Sequence, residues 1–207
     1  MLTVLYQTNL FIETGYISYY KQKWLSLNCH GFNDGIALYL LRVASDVDII
    51  PLQETWLSVA NYQNIQCLLP DYIVYHSSSM EDRIQNGILH GRPYGGTAVL
   101  AHKSLALNCF RVVTDNPRIS VCLKNVNGAD AIVSSIYMPW CDRSMDQIAD
   151  YEDTIGSMQS INDKHIGCSF IFGGDLNVSQ LSSVICGRHV VNFCVANDTL
   201  WLAAVKW

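Results

Sequence analysis

Charge is scarce in this chain. Asp, Glu, Lys and Arg make up 15% of its 207 residues and hydrophobic residues 50%. Such a chain can bury a sizeable core, which excludes a disordered tail or linker. Basic residues are the scarcer sign, 13 Lys and Arg against 18 Asp and Glu, for a net charge of −5. An acidic balance is not the usual footprint of a nucleic-acid binder, which tends to carry a basic face, though it does not exclude one. A carboxylate-rich site that takes a metal first, and lets the metal meet a phosphate, is still open. Long apolar runs are missing too: no window of about 18 uninterrupted apolar residues occurs, so no membrane span is predicted. The opening "MLTVLYQTNLFIETGYISYYK" has no basic leader and is interrupted by Glu13, which argues against a signal peptide. No C-x-x-C pair exists among the eight cysteines, at 29, 67, 109, 122, 141, 168, 186 and 194. Several lie inside apolar runs, so buried reduced thiols in an intracellular protein are expected. Cys186, His189 and Cys194 come nearest to a zinc pattern and lack a fourth ligand. There is no internal repeat, and the length suits one domain or two small ones.

What is present is mostly strand. "KWLSLNCHG" (23–31) reads as a short strand and turn, "VDIIPLQETW" as a buried strand with Pro51 against its regularity, and "DYIVYHSSS" as another. "GGTAVLAHK", "ALNCFRVVT", "ISVCLKNV" and "ADAIVSSIYMPW" are four more, with turns at Asp115–Pro117 and Asn125–Gly128. "CSFIFGGDLNV" is the next. Apolar residues at 36, 39, 40, 43 and 44, and at 148, 151, 155, 158 and 161, mark two amphipathic helices. The stretch 78–93 reads as a loop, the first 20 residues have no clear partner in the rest of the chain, and "NFCVANDTLWLAAVKW" suits helix or strand equally. Strands outnumbering two helices, some alternating and some wholly apolar, imply two sheets face to face with helices outside.

Polar groups close four of these strands: Asn28, Glu54, Tyr137, and Asp175 with Asn177. Each has an ordinary explanation. Asn28, Asp175 and Asn177 are turn formers, Tyr137 is a β-former, and Glu54 suits a solvated strand end. A charge directly after "DIIPL" is nevertheless costly unless paired or liganded.

Taken in order, Asn-x-x-Gly, Leu-Gln-Glu-Thr, Tyr-x-Pro and Gly-Asp-x-Asn resemble the endonuclease/exonuclease/phosphatase superfamily. "WLSLNCHGFN", "LQETWL", "GRPYGGTAVL" and "GGDLNV" are most similar to the apurinic/apyrimidinic-type endonuclease domain of LINE-type (non-LTR) retrotransposons, over about residues 23–180. The resemblance implies a deoxyribonuclease I-like α/β (α+β) fold, a four-layer α-β-β-α sandwich of two mixed sheets lacking its last strands. Residues 23–185 would form this incomplete domain, 1–22 a divergent lead and 186–207 a divergent tail.

The implied chemistry is hydrolysis of a DNA phosphodiester with Mg2+ (or Mn2+), in the nucleus, with no obligate protein partner. Glu54 and Asn28 would hold the metal, Asp175 would orient the attacking water, and Asn177 and Tyr137 would donate to a phosphate oxygen. His30, Arg92 and Tyr94 are candidates for substrate contact; a solvated loop explains the last two as well.

In the family a histidine directly after an aspartate, near the domain's end, activates the water. Here the six histidines follow Cys29, Tyr75, Leu89, Ala101, Lys164 and Arg188. The expectation is thus the front portion of such an endonuclease, with a non-catalytic remnant or binding module as the alternative. "PWCDR" (139–143) resembles an inositol polyphosphate 5-phosphatase motif but precedes Gly-Asp-x-Asn instead of following it. A phosphoester phosphatase is the lesser alternative.

Overall fold

The computed structural model describes the backbone of residues 5–13, 16–106, 109–126, 129–140, 144–177, 189, 192–194, 197, 200–203 and 205–206. Cys141, Cys186 and the last three residues of "PWCDR" lie outside the described residues.

Strands β1 (Leu5–Glu13) and β2 (Tyr16–Trp24) form an antiparallel hairpin. β3 (Leu27–Asn28) leads to helix α1 (Asp34–Val43) and β4 (Ile49–Gln53), then α2 (Tyr62–Leu68) and β5 (Tyr72–Ser77). A small hairpin comes next, β6 (Ile84–Gln85) with β7 (Ile88–Leu89), then β8 (Thr97–His102) and the short α3 (Lys103–Ala106). The second half holds β9 (Cys109–Val112), β10 (Ile119–Val126), β11 (Ala129–Tyr137), helix α4 (Met145–Lys164), β12 (Ser169–Asp175), β13 (Leu200–Ala203) and β14 (Val205–Lys206).

These strands make two mixed sheets. In the first, β5 pairs with β8 and β8 with β4; on the other side of β4 lie β2 and β3 in succession, flanked by β1 and β14. The second runs β13-β12-β11-β10-β9. Three apolar clusters give the layer order. Ile36 and Leu40 of α1 and Ile65 of α2 meet Leu27, Ile50 and Leu52 on one face of the first sheet. Its other face supplies Trp24, Ile49, Val99 and Ala101, which meet Cys122, Val133 and Ile171 of the second sheet. Tyr151, Met158 and Ile161 of α4 cover the far face, against Ile132, Phe170 and Phe172. The fold is therefore the expected α-β-β-α sandwich. Each fully buried side chain of this size contributes about 1.5–3 kcal/mol of transfer free energy.

Local chemistry accounts for both long helices. The Asn33 side chain caps α1 by accepting from the amides of Gly35 (2.9 Å) and Ile36 (3.1 Å), and Ser144 caps α4. Pro51 sits inside a central strand, which normally forbids it. Its missing donor falls where it is not needed: β2 ends at Trp24 opposite Ile49, β3 resumes at Leu27 opposite Leu52, and Leu25–Ser26 between them are outside any strand.

Four stretches differ from the sequence reading. The first residues pair with one another, and β2 joins β4 through Trp24. The loop 78–93 contains the β6–β7 hairpin, closed by Asn86 (φ 52°) and Gly87 (φ 77°), an Asn-Gly turn signal the loop reading passed over. Helix α2 was not foreseen. The ambiguous tail holds a helical segment at 192–194 and the strands β13 and β14, each paired in parallel to a distant strand. The six described cysteines are thiols outside any disulfide, with Cys29, Cys109 and Cys122 buried and Cys67 exposed. No group of three His, Cys, Asp or Glu able to hold a metal exists among the described residues. None of the described helices is long and apolar enough to cross a membrane.

The sheets approach closely at Gly173 of β12, where an added Cβ would lie 2.6 Å from two ring carbons of Pro51 and 2.9 Å from Ser26 Oγ. A proline ring cannot swing aside, so Gly173→Ala should lower the unfolding free energy by about 1–3 kcal/mol in urea titration. A variant as stable as the parent would show that the sheets separate without penalty.

Candidate active site

The C-terminal ends of parallel strands from both sheets open at one edge. β3 and β4 run parallel with Asn28 opposite Gln53, and β11 and β12 run parallel with Tyr137 opposite Asp175. Side chains at such ends project beyond the last pair of each ladder, which is where open α/β sheets place ligands.

Asn28 occupies the junction. Its Nδ2 donates to Glu54 Oε1 at 2.8 Å and to Asp175 Oδ2 at 2.8 Å, and its Oδ1 accepts the His30 amide at 3.0 Å. One amide thus spans two carboxylates from different sheets and spends its acceptor on its own chain. Asp175 is buried and its Oδ1 takes the Asn177 amide at 3.1 Å; Asn177 in turn donates to the Met138 carbonyl at 3.0 Å. The Asn177 side chain lies close enough to the Tyr137 phenol to favour its ionised form. The structure therefore brings Asn28, Glu54, Tyr137, Asp175 and Asn177 into one connected group.

The backbone is bent to make this group. His30 (φ 46°), Glu54 (φ 49°), Trp56 (φ 56°) and Asn177 (φ 50°) all adopt left-handed conformations. Such positions cost of order 1–3 kcal/mol each and persist only where the surroundings enforce them. Here the amides of Cys29, Gly31 and Phe32 bond in turn to the carbonyls of Gln53 (2.8 Å), Glu54 (2.8 Å) and Thr55 (2.9 Å). Gly31 (φ 94°) is required, because a Cβ there would come within 2.5 Å of the Trp56 ring.

The Tyr137 phenol is pushed above its ordinary range by burial first and by the Glu54 charge second. The Asn177 side chain and the Arg118 charge pull it down, and Asp175 adds to the rise. Arg118 was not foreseen as a site residue. Its guanidinium carbon lies 5.9 Å from the Tyr137 ring centroid, and its carbonyl accepts the Tyr137 amide at 3.0 Å. A single basic residue at the start of a strand carries no sequence signal of that position. Burial and the Glu54 charge also push up the Cys29 thiol, so it stays protonated.

The three further candidates separate. His30 is exposed, with Nδ1 3.5 Å from Glu54 Oε2 and its ring centroid 5.0 Å from that of Trp56. Tyr94 lies on the segment after β7 with the Arg83 guanidinium 5.1 Å from its ring centroid. Arg92 is exposed on the same segment and has no hydrogen-bond or ion-pair partner among the described residues.

The donor set fits a hard divalent cation. The Glu54 side chain is 14% exposed, and among the described residues its Oε2 has only the long His30 contact, which leaves that oxygen available to a ligand. Mg2+ asks for one or two carboxylates, with water and substrate oxygens completing its shell. Asn28 contributes here chiefly by fixing both carboxylates, its own oxygen being taken by the His30 amide.

No family model matches the sequence. No curated protein matches it either. Solved structures do match in shape. The endonuclease domain of TRAS1, a telomere-specific non-LTR retrotransposon, is 14% identical over 84% of this chain and 70% of its own, with a TM-score of 0.57. An endonuclease/exonuclease/phosphatase family protein from Leptotrichia buccalis C-1013-b is 18% identical over 83% of this chain and 72% of its own, TM-score 0.54. An AP endonuclease from Archaeoglobus fulgidus is 14% identical over 84% and 70%, TM-score 0.54. At these identities the likeness establishes the fold, the one that endonuclease/exonuclease/phosphatase proteins share.

The raised Tyr137 pKa gives a pH prediction. Its folded-state value lies above the unfolded value near 10, so the neutral phenol's contribution is complete below about pH 10 and is lost as pH rises through the folded-state value. The stability difference between the parent and Tyr137→Phe should be constant from pH 7 to about 9 and move in favour of the variant above about 10. A difference that stays flat across urea titrations on both sides of pH 10 would contradict the assignment.

Proposed function

We propose that this chain is a phosphodiesterase domain that nicks DNA with the help of Mg2+ (or Mn2+), of the kind carried by non-LTR retrotransposons and acting in the nucleus. The observation that carries the reading is the single amide of Asn28 held 2.8 Å from both Glu54 and Asp175, at the mouth where the two sheets meet. That the TRAS1 and Archaeoglobus fulgidus neighbours are endonucleases supports a nucleic acid as the substrate.

Glu54 would hold the cation through its open oxygen, with Asn28 fixing that carboxylate's orientation. When bound, the cation supplies Lewis-acid polarisation of the phosphate and neutralises its charge. Asp175, oriented by Asn28 and the Asn177 amide, positions the attacking water and takes up its proton. Tyr137, kept neutral, retains the proton it needs to donate to a non-bridging phosphate oxygen. Asn177 stands near the phenol as a second neutral donor for the phosphate, and Arg118 stands beside the ring as a positive charge for it.

A second reading keeps the fold and binds without hydrolysing. It is favoured by the sequence itself, in which no histidine follows an aspartate. His30 is the histidine found at the carboxylates among the described residues, and it is paired to Glu54. General acid–base help from a histidine is worth about 10²–10⁴ in rate, roughly 3–5 kcal/mol of barrier.

The test is purified 1–207 with supercoiled plasmid and Mg2+, and with EDTA in parallel. Slow nicking that needs the cation and disappears in Asp175→Asn and Asp175→Ala is the expected result. Asp175→Asn replaces one of the two acceptor oxygens by an NH2 facing the Asn28 Nδ2 or the Asn177 amide, so it should lower stability by about 1–3 kcal/mol and still leave a folded protein to assay. Nicking that persists in the Asp175 variants would defeat the assignment. DNA binding with no nicking under any condition would favour the second reading.

A further inference from the structure

Aromatic rings are concentrated where the site opens. His30, with its side chain 73% exposed, meets the half-buried Trp56 ring at 5.0 Å and 57°. The Trp56 amide bonds the Gly95 carbonyl at 2.9 Å, which anchors the neighbouring Tyr94 to the same rim. Tyr94 is 43% exposed, with the Arg83 guanidinium over its ring. Across the mouth, the Met138 amide bonds the Asp175 carbonyl at 3.1 Å and the Met138 carbonyl accepts from Asn177. Two residues on, Trp140 is 52% exposed. Three large aromatics among the described residues are more than a third exposed, Tyr94, Phe110 and Trp140, and two of them stand on segments bonded to the site.

Leaving apolar rings in water is unfavourable unless something covers them, and the chain's net charge of −5 provides no broad electrostatic hold on a polyanion. A flat π-face is matched by the face of a nucleobase, and a base offers its face only when it is out of a paired stack. Resting on the phosphodiesterase reading, we propose that His30, Trp56, Tyr94 and Trp140 form a stacking rim that grips unpaired nucleobases flanking the scissile phosphate. The preferred substrate is then single-stranded or locally unpaired DNA. Arg83 stiffens the rim by holding one face of Tyr94 and leaving the other for a base.

The probes are a fluorescent 12-nucleotide oligothymidine, a duplex of equal length and a 12-unit abasic strand, in EDTA so that no cleavage intervenes. Anisotropy titration should show the oligothymidine bound at least tenfold more tightly than either of the others. Tyr94→Ala and Trp140→Ala should each weaken it about 5–150-fold, the range for one stacked base, and leave duplex binding unchanged. Tyr94→Phe and Trp140→Phe should retain binding, and Phe110→Ala, an exposed aromatic of β9, should have no effect. Equal affinity for duplex, equal affinity for the abasic strand, unweakened alanine variants, or no binding to any of the three would each overturn the proposal. Aromatic-dependent binding in a protein that never nicks would uphold the rim and remove the catalytic reading, so the two fail separately.

Discussion

The two sheets are held in register by polar contacts set in a largely apolar interface. Gln53, fully buried at the end of β4, donates from Nε2 to Ser135 Oγ at 2.9 Å and to the Gly173 carbonyl at 3.3 Å, both on the second sheet. Ser135 returns the link by donating to the Leu52 carbonyl at 2.6 Å. Thr97 and Ser120 make a second bridge between hydroxyls at 2.8 Å. Apolar faces alone can slide by a residue at small cost; donors and acceptors buried between them cannot, because each lost partner leaves a polar group unsatisfied at about 1–3 kcal/mol. Gln53 Oε1 is already buried without a partner among the described residues, so the site edge carries part of that cost in its native form.

That register decides where Asn28 lies. Gln53 pairs with Asn28 across the β3–β4 ladder and precedes Glu54, while its partner Gly173 lies two residues before Asp175. Fixing one glutamine against the second sheet therefore fixes both carboxylates at the distance one amide can span. The left-handed backbone at His30, Glu54 and Trp56 is the local cost of turning two adjacent chains outward at that point.

The layer order and the main strands were legible in the sequence because alternation and helical spacing report directly on which faces are buried. So were the five polar residues at four strand ends, since charge beside an apolar run is costly without a reason. What escaped were groups defined by partners far away in the chain. Arg118 and Trp56 look ordinary until folding places one beside Tyr137 and the other beneath Gly31. The tail was ambiguous because β13 and β14 are specified by β12 and β3, not by their own periodicity. The β6–β7 hairpin is the exception: Asn86-Gly87 announced it, and the polar composition around it obscured the signal.

The span of chain closed by the Asn28 bridge has a consequence for how the molecule comes into being. Its two hydrogen bonds connect residues 26 and 147 positions apart. Contacts of such separation are entropically expensive to close and tend to form late. No contiguous half of the chain contains both Glu54 and Asp175, and a chain caught part-way through folding presents its strands with the site unassembled. Competence at this edge is therefore a property only of the finished sandwich.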